Sequence, residues 1–180
     1  MIKPIIFLDI DGVLNHNEFY KNRPPRNTEK ENPLLNRLQR ELDPSSVAIL
    51  NNLVKETGAK IVISSTWRLI DNWKYFIPES LKLNGFEYPD SIIDQTPCIR
   101  HEFSLRGNEI LMWIKNNQGF IGAPYYEYSK YVIFDDDSDM LYWQKDNFIH
   151  VDRMVGITVE DAAKAKTMLT SECCKTILGE

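Results

Sequence analysis

Two aspartates, Asp9 and Asp11, directly follow an apolar run at residues 4–8 and precede Gly12. Side chains two apart on a strand point the same way, so we expect both carboxylates on one side of a strand end. Such a pair can share a divalent cation, or divide the roles of nucleophile and acid/base. Because Asp and Gly are also common turn residues, the pair alone leaves a plain turn open as the alternative.

Two further apolar runs end in chemically useful side chains. Residues 131–134 lead into the acids Asp135, Asp136, Asp137 and Asp139, and residues 60–63 lead into Ser64, Ser65, Thr66 and Arg68. In open parallel α/β sheets, ligands bind outside the carboxyl ends of the strands. Three such ends favour a functional site, although the acids alone also fit a solvated acidic turn.

The elements between these runs alternate between strand and helix. Asp43 and Pro44 are a helix N-cap and first helical residue, apolar residues then recur at helical spacing, and Gly58 ends the helix. A strand at residues 60–63 completes a βαβ unit, which implies parallel pairing. The same signals predict strands at 92–96, 131–134 and 148–151, a helix at 106–116, and a helix from a Thr158/Asp161 capping box to Leu169. The alternation indicates an α/β fold.

The remaining segments give weaker patterns. We expect a loop over residues 15–28, a short helix at 33–41, a helix near Trp73 that breaks at Pro78, and a loop at 119–126. Trp113 and Trp143 are expected in the core. His16 is expected either as a solvated loop residue or as part of the site.

Taken together, the motifs resemble those of the haloacid dehalogenase (HAD) superfamily of phosphatases and phosphotransferases. The first motif matches residues 7–12, the second matches 61–64, the third is best matched by Arg106, and the fourth matches 132–136. The resemblance implies a Rossmann-like parallel sheet flanked by helices. It also implies one domain over residues 1–180, with minimal cap-like inserts at about 15–43 and 69–105.

The resemblance assigns a role to each motif residue. Asp9 would be the nucleophile, and Asp11 would protonate the leaving oxygen and then activate water. Ser64, or Ser65 if the register shifts by one, would bind a phosphoryl oxygen, and Arg106 would offset the charge that builds during transfer. Mg²⁺ would be held by Asp9, the backbone carbonyl of Asp11, Asp135 and Asp136.

Short caps leave such a site open, which suits large substrates such as polynucleotide ends. The residues after the second strand, the Arg106 helix start and the acidic run also resemble the phosphatase domains of polynucleotide kinase-phosphatases and RNA-repair proteins. The substrate-binding candidates are Ser65, Thr66, Arg68, Arg23 and Arg26. Arg68 is expected either to contact the substrate or to pair with an acid such as Asp71, while Arg23 and Arg26 would form a basic rim.

The composition favours no single substrate. With 21 basic and 26 acidic residues the net charge is −5, which argues mildly against binding driven by the nucleic-acid backbone. Free nucleotides or another small phosphate metabolite therefore stay open, as does a non-catalytic, phosphate-binding or regulatory protein on the same fold. A P-loop is absent from the sequence, so no kinase partner domain is expected within it.

The sequence shows neither a signal peptide nor an apolar run of membrane-spanning length. The three cysteines, Cys98, Cys173 and Cys174, lack the spacing of a metal site. We therefore expect reduced thiols and a cytoplasmic location.

Overall fold

A computed structural model describes residues 2–23, 41–99 and 104–171. Within these ranges, five parallel strands form one sheet in the order β3-β2-β1-β4-β5. Its strands are β1 (Ile5–Leu8), β2 (Lys60–Ile63), β3 (Ile92–Gln95), β4 (Tyr131–Asp135) and β5 (Phe148–His150). The predicted α/β fold with a parallel sheet is confirmed.

The strand order places the ends of the three motif strands side by side. Leu8 at the end of β1 aligns with Ile63 of β2 on one side and with Phe134 of β4 on the other. The chain order reverses at β1, where β2 and β4 flank it. Ligands of open α/β sheets bind at such a reversal, outside the carboxyl ends of the strands.

The same ranges contain six helices and three short 3₁₀ helices. The helices are α1 (Asn17–Asn22), α2 (Pro44–Thr57), α3 (Trp73–Leu83), α4 (Arg106–Asn116), α5 (Gln118–Ile121) and α6 (Val159–Thr170). The 3₁₀ helices are Thr66–Leu69, Pro89–Ser91 and Tyr142–Asn147. The described helices are all shorter than a membrane-spanning helix needs to be.

The helices cover both faces of the sheet, as the alternation of β1 side chains requires. Ile6 and Leu8 belong to a core shared with α2, α3 and α6, whereas Ile5 and Phe7 belong to a second core shared with α4 and α5. All four β1 side chains are fully buried. A strand covered on both faces reads as a continuous apolar run, which is the pattern seen in the sequence.

The predicted helix ends form as local side-chain chemistry requires. The Asp43 side chain accepts a hydrogen bond from the Ser45 amide at the start of α2, and Gly58 ends α2 with a left-handed backbone at φ 63°. Thr158 and Asp161 cap α6 reciprocally. Each of these contacts spans at most three residues, so the local sequence is sufficient to specify them.

Three local expectations are wrong. Residues 17–22, expected as loop, form α1, and residues 118–121 form α5 at the edge of the other expected loop. The helix α3 continues through Pro78 because burial of Phe76, Ile77 and Leu81 holds both of its halves on the sheet. The helix expected at 33–41 lies outside the described residues.

Candidate active site

Three carboxylates meet where β1 and β4 end. The Asp9 amide donates to the carbonyl of Phe134 at 3.0 Å, which places Asp9 beside Asp135. One oxygen from each of Asp9, Asp135 and Asp136 can be chosen so that all three lie within 4.8 Å of one another. The predicted metal ligands Asp9, Asp135 and Asp136 are therefore brought together.

Burial makes the carboxyl groups of Asp9 and Asp135 hard to ionise. The pKa of Asp9 is raised from 3.8 to about 6 by burial, against the lowering effects of a Ser65 hydrogen bond and the Arg106 charge. The pKa of Asp135 is raised to about 7, by burial first and then by the charge of Asp9. The Asp135 Oδ2 atom is buried and has no hydrogen-bond partner among the described residues. Close hard oxygen donors of this kind fit a small divalent cation.

Gly12 lets the β1 turn approach the acidic cluster. Its backbone is left-handed at φ 77°, a conformation that side chains disfavour. A Cβ atom at this position would lie 2.4 Å from the Asp136 Cγ atom. Both the backbone conformation and the space therefore require glycine, which keeps Asp11 and Asp136 on adjoining turns.

The carboxylate of Asp11 is held apart from the cluster by two side chains. Asn15 Nδ2 donates to Asp11 Oδ1 at 2.8 Å, and Trp67 Nε1 donates to Asp11 Oδ2 at 2.9 Å. Asn15 is itself fixed, since its Oδ1 atom accepts from the Gly12 amide at 3.0 Å. Sequence reasoning missed both donors. Asn15 lies four residues from Asp11, but only the fold brings in Trp67.

The polar residues after β2 lie beside Asp9. The Ser64 amide donates to the Leu8 carbonyl at 2.9 Å, which continues the β1–β2 pairing. The Ser65 side chain hydrogen-bonds the Asp9 carboxyl group. The Ser64 hydroxyl is buried without a hydrogen-bond partner in the described ranges, whereas Thr66 is exposed. The backbone of Ser64 and the side chain of Ser65 thus lie next to Asp9.

Arg106, the first residue of α4, reaches the acidic cluster. Its Nε atom lies 3.5 Å from Asp135 Oδ2, and its backbone amide donates to Asp139 Oδ2 at 2.8 Å. Its charge lowers the pKa values of both Asp9 and Asp135. The cation expected from the third motif is therefore at the site.

Arg68 lies beneath the site and pairs with an acid other than the expected one. Its Nη1 atom donates to the carbonyls of Ser64 and Ser65, each at 2.6 Å, and its Nη2 atom donates to Glu109 Oε2 at 2.6 Å. The suggested pairing with Asp71 is wrong, because the buried guanidinium points towards α4. Only 3 % of the Arg68 side chain is exposed, so this conformation does not support direct contact with a substrate.

Glu109 and Arg153 are site residues that sequence reasoning missed. Glu109 accepts from Arg68 and from the Ile99 amide, and lies 3.9 Å from Arg106. The sequence feature that could have identified Glu109 is the position of an acidic residue on the apolar face of α4. Arg153 Nη2 lies 2.8 Å from Asp136 Oδ2. No sequence pattern connects Arg153 to the acids, since it follows the next strand.

The helix α1 flanks the site. Burial raises the pKa of Tyr20 to about 12, and the charges of Glu41 and Asp11 act in the same direction. The Arg23 guanidinium lies 4.5 Å from the Tyr20 ring centroid, and its Nη1 atom is 3.9 Å from Glu41 Oε2. Arg26, the other predicted rim residue, lies outside the described residues.

His16 and Trp143 differ from expectation. His16 is buried as the N-cap of α1, with Nε2 2.9 Å from Asp43 Oδ2, rather than solvated in a loop. Trp143 is 63 % exposed, because it lies on a 3₁₀ helix of which only Gln144 is buried. Trp113 is buried as expected and packs edge-on against Phe7.

Comparison with known proteins gives one family match. Residues 5–162 match a family described as "HAD domain in Swiss Army Knife RNA repair proteins". This range includes the carboxylate cluster and the residues around it. Neither a curated protein nor a solved structure matches the chain significantly.

Proposed function

The chain belongs to the family of HAD domains in Swiss Army Knife RNA repair proteins, and from this premise we propose that it is a Mg²⁺-dependent phosphomonoesterase acting on nucleic-acid ends. Membership supports a phosphatase of the HAD type in general. The observation that carries the finer proposal is the meeting of Asp9 with Asp135 and Asp136, with Asp11 held separately beside them. This arrangement supports a role for Asp9 in attack and for Asp11 in proton transfer.

The reaction proceeds in two displacements at phosphorus. An Asp9 oxygen bonds to phosphorus while the ester bond breaks, and the leaving oxygen takes a proton from Asp11. Asp11, now ionised, removes a proton from water as that water attacks the aspartyl-phosphate. Inorganic phosphate leaves, Asp9 returns as a carboxylate and Asp11 is protonated again.

The carboxylates of Asp9, Asp135 and Asp136, with the backbone carbonyl of Asp11, would hold Mg²⁺. When bound, this ion supplies the positive charge that offsets repulsion between a carboxylate nucleophile and a phosphate dianion. The donor set fits the ion because all the ligands are oxygen atoms and Asp135 Oδ2 accepts no hydrogen bond from the described residues.

The surrounding residues bind the phosphoryl group. The Ser64 hydroxyl has no hydrogen-bond partner among the described residues and would donate to a phosphoryl oxygen, while Ser65 hydrogen-bonds Asp9. Arg106 offsets the negative charge that develops during transfer. Arg68 contributes indirectly, because its guanidinium donates hydrogen bonds that fix the backbone carbonyls of both serines.

Nucleic-acid ends are the substrate class favoured by the family description. One domain with minimal caps would leave the site open to so large a substrate. Arg23, Arg26 and the exposed Thr66 would contact the strand next to the terminal phosphate. The net charge of −5 favours the second candidate, a phosphatase of free nucleotides or another small ester. We place the protein in the cytoplasm, where either class of substrate is present.

Phosphate release tests the proposal directly. The substrates are 3′- and 5′-phosphorylated oligonucleotides and free mononucleotides, each with Mg²⁺ and with EDTA. We expect Mg²⁺-dependent turnover by the wild type and less than a few per cent of it in Asp9→Asn, which loses the attacking carboxylate. Asp146→Asn is the matched control, because it makes the same change at an exposed position away from the cluster.

Each outcome has a distinct meaning. Preference for oligonucleotides supports end processing, and preference for mononucleotides supports the small-ester alternative. Higher residual activity in a folded Asp9→Asn protein removes Asp9 from the nucleophile role. Silence of the wild type on every ester favours a non-catalytic, phosphate-binding function.

A further inference from the structure

Both oxygens of the Asp11 carboxylate accept a hydrogen bond from a side chain. Asn15 occupies Oδ1 from within the same turn, and Trp67 occupies Oδ2 from a segment 56 residues away in sequence. Asp11 itself is exposed, so its carboxylate does not need either contact to relieve burial. Asn15 is buried, and its amide is satisfied by the bond to Asp11, whereas Trp67 is only partly buried. The Trp67 bond is therefore the one that burial explains least.

The direction of the Trp67 N–H is set by its own surroundings. Trp67 lies on the 3₁₀ helix Thr66–Leu69, whose N-cap Ser65 accepts from the Trp67 amide at 3.3 Å. The indole ring packs against Phe76 of α3, with ring centroids 5.8 Å apart. The backbone and the ring of Trp67 are thus both held, and the indole N–H is aimed at Asp11.

An indole N–H constrains a carboxylic acid without competing for its proton. Indole is a donor only, and each carboxyl oxygen has two lone pairs, so Asp11 can accept from Trp67 and still carry a proton on a remaining lone pair. With both oxygens engaged, rotation of the carboxyl group is restricted. A proton donor already oriented towards its target avoids an entropic cost in the transition state.

We propose that Trp67 is a positioning residue that fixes the direction from which Asp11 delivers its proton to the leaving oxygen. This role rests on the proposed phosphatase function. It makes Trp67 most important for esters of sugar hydroxyls, as in nucleotides, because an alkoxide leaves poorly without a proton. Aryl esters, whose leaving oxygen is weakly basic, need that proton far less.

The test compares Trp67→Phe with the wild type on a nucleoside monophosphate and on p-nitrophenyl phosphate. Phe keeps an aromatic ring against Phe76 but removes the N–H. The measured constant is kcat/KM, which reports steps up to phosphoryl transfer to Asp9 and excludes the later hydrolysis. We expect a loss of roughly 10- to 100-fold for the nucleotide, part of the full effect of a general acid, and less than about threefold for the aryl ester.

Trp113→Phe is the matched control. Trp113 Nε1 donates to Asp94 Oδ2 at 2.7 Å, so the same substitution removes a similar hydrogen bond within the second core. Its effect on kcat/KM should be equal for the two esters. An equal loss for both esters in Trp67→Phe, or no loss for either, overturns the positioning role. Silence of the wild type on both esters and on the phosphorylated oligonucleotides overturns the proposed function itself.

If Trp67→Phe does not fold, the Trp67–Asp11 hydrogen bond can still be tested by NMR spectroscopy of the indole N–H groups. The chain has four tryptophans, so the ¹H–¹⁵N spectrum contains four indole signals. Replacing the Asp11 carboxylate by an amide, in Asp11→Asn, should shift the Trp67 signal and leave the Trp113 signal in place. An unmoved set of four signals shows that Trp67 does not donate to Asp11 in solution, which also overturns the proposal.

Discussion

At the residue scale, Asp9 and Asp135 are carboxyl groups whose burial opposes ionisation. Their pKa values of about 6 and about 7 lie above the ordinary 3.8. Folding therefore favours the protonated forms. In the metal-free protein, the stability they contribute is complete below pH 4 and is lost as the pH rises through 6 and 7.

This shift predicts how Mg²⁺ stabilisation depends on pH. Mg²⁺ binds the ionised carboxylates, so protons compete with it below about pH 6. We expect Mg²⁺ to raise Tm clearly at pH 8 and far less at pH 5. In EDTA, Tm should decrease as the pH is raised from 5 to 8. Thermal melts with Mg²⁺ or EDTA measure both trends. An equal Mg²⁺ effect at the two pH values would contradict the assignment, and Asp135→Asn should weaken the effect at pH 8.

At the scale of elements, α4 joins three parts of the site through Glu109. That residue holds Arg68 from the end of β2, the Ile99 amide before α4, and Arg106 on its own helix. Arg68 in turn fixes the carbonyls of Ser64 and Ser65. One buried ion pair thus sets the spacing between the serines and the Arg106 cation.

Glu109→Gln should be strongly destabilising. The amide keeps the shape of the side chain but leaves Arg68 as a buried cation without its counter-charge, which costs about 3 kcal/mol in unfolding free energy. Denaturation with urea measures this loss. Glu79→Gln is the control, because it removes one partner of the exposed Lys82–Glu79 pair, worth less than about 1 kcal/mol. Similar losses in the two variants would show that the Arg68–Glu109 pair does not hold the site together.

Elements with local signals were predicted well, and α1 shows why others were not. The helices α2 and α6 begin at caps whose partners lie two or three residues away. The N-cap of α1 is His16, which is held by Asp43 and by the Met154 carbonyl. Those partners are 27 and 138 residues away in sequence, so the residues next to His16 do not predict a helix.

At the scale of the whole molecule, a net charge of −5 opposes binding to a polyanion. Any attraction for a nucleic-acid strand must therefore be local. Arg23 lies on the side of the site bounded by α1, next to Tyr20, whose pKa is raised in part by the charge of Asp11. This placement keeps the basic rim as a prediction for Arg23 and Arg26.

Replacing Arg23 and Arg26 by Ala should lower kcat/KM for a phosphorylated oligonucleotide more than for p-nitrophenyl phosphate. The loss of two phosphate contacts would also make kcat/KM for the oligonucleotide less sensitive to salt. Over a fourfold increase in salt concentration, the decrease in kcat/KM should be roughly sevenfold smaller for the variant than for the wild type. Lys164→Ala with Lys166→Ala is the control, since it removes the same charge from the opposite end of the chain, on α6. Equal effects on both substrates, or none, would exclude the rim.

Arg106 was assigned to the site from the family resemblance. The residue pattern alone was enough to predict the sheet, the caps of α2 and α6, and the presence of Asp9, Asp135 and Asp136 at one edge. Those features follow from apolar runs, from contacts within a few residues, and from the rule that parallel strands end together. The packing of the folded chain was needed to establish that Trp67 reaches Asp11, that Arg68 faces Glu109, and that Arg153 reaches Asp136. These partners come from different elements, and side-chain direction across 17 to 56 residues depends on how those elements pack.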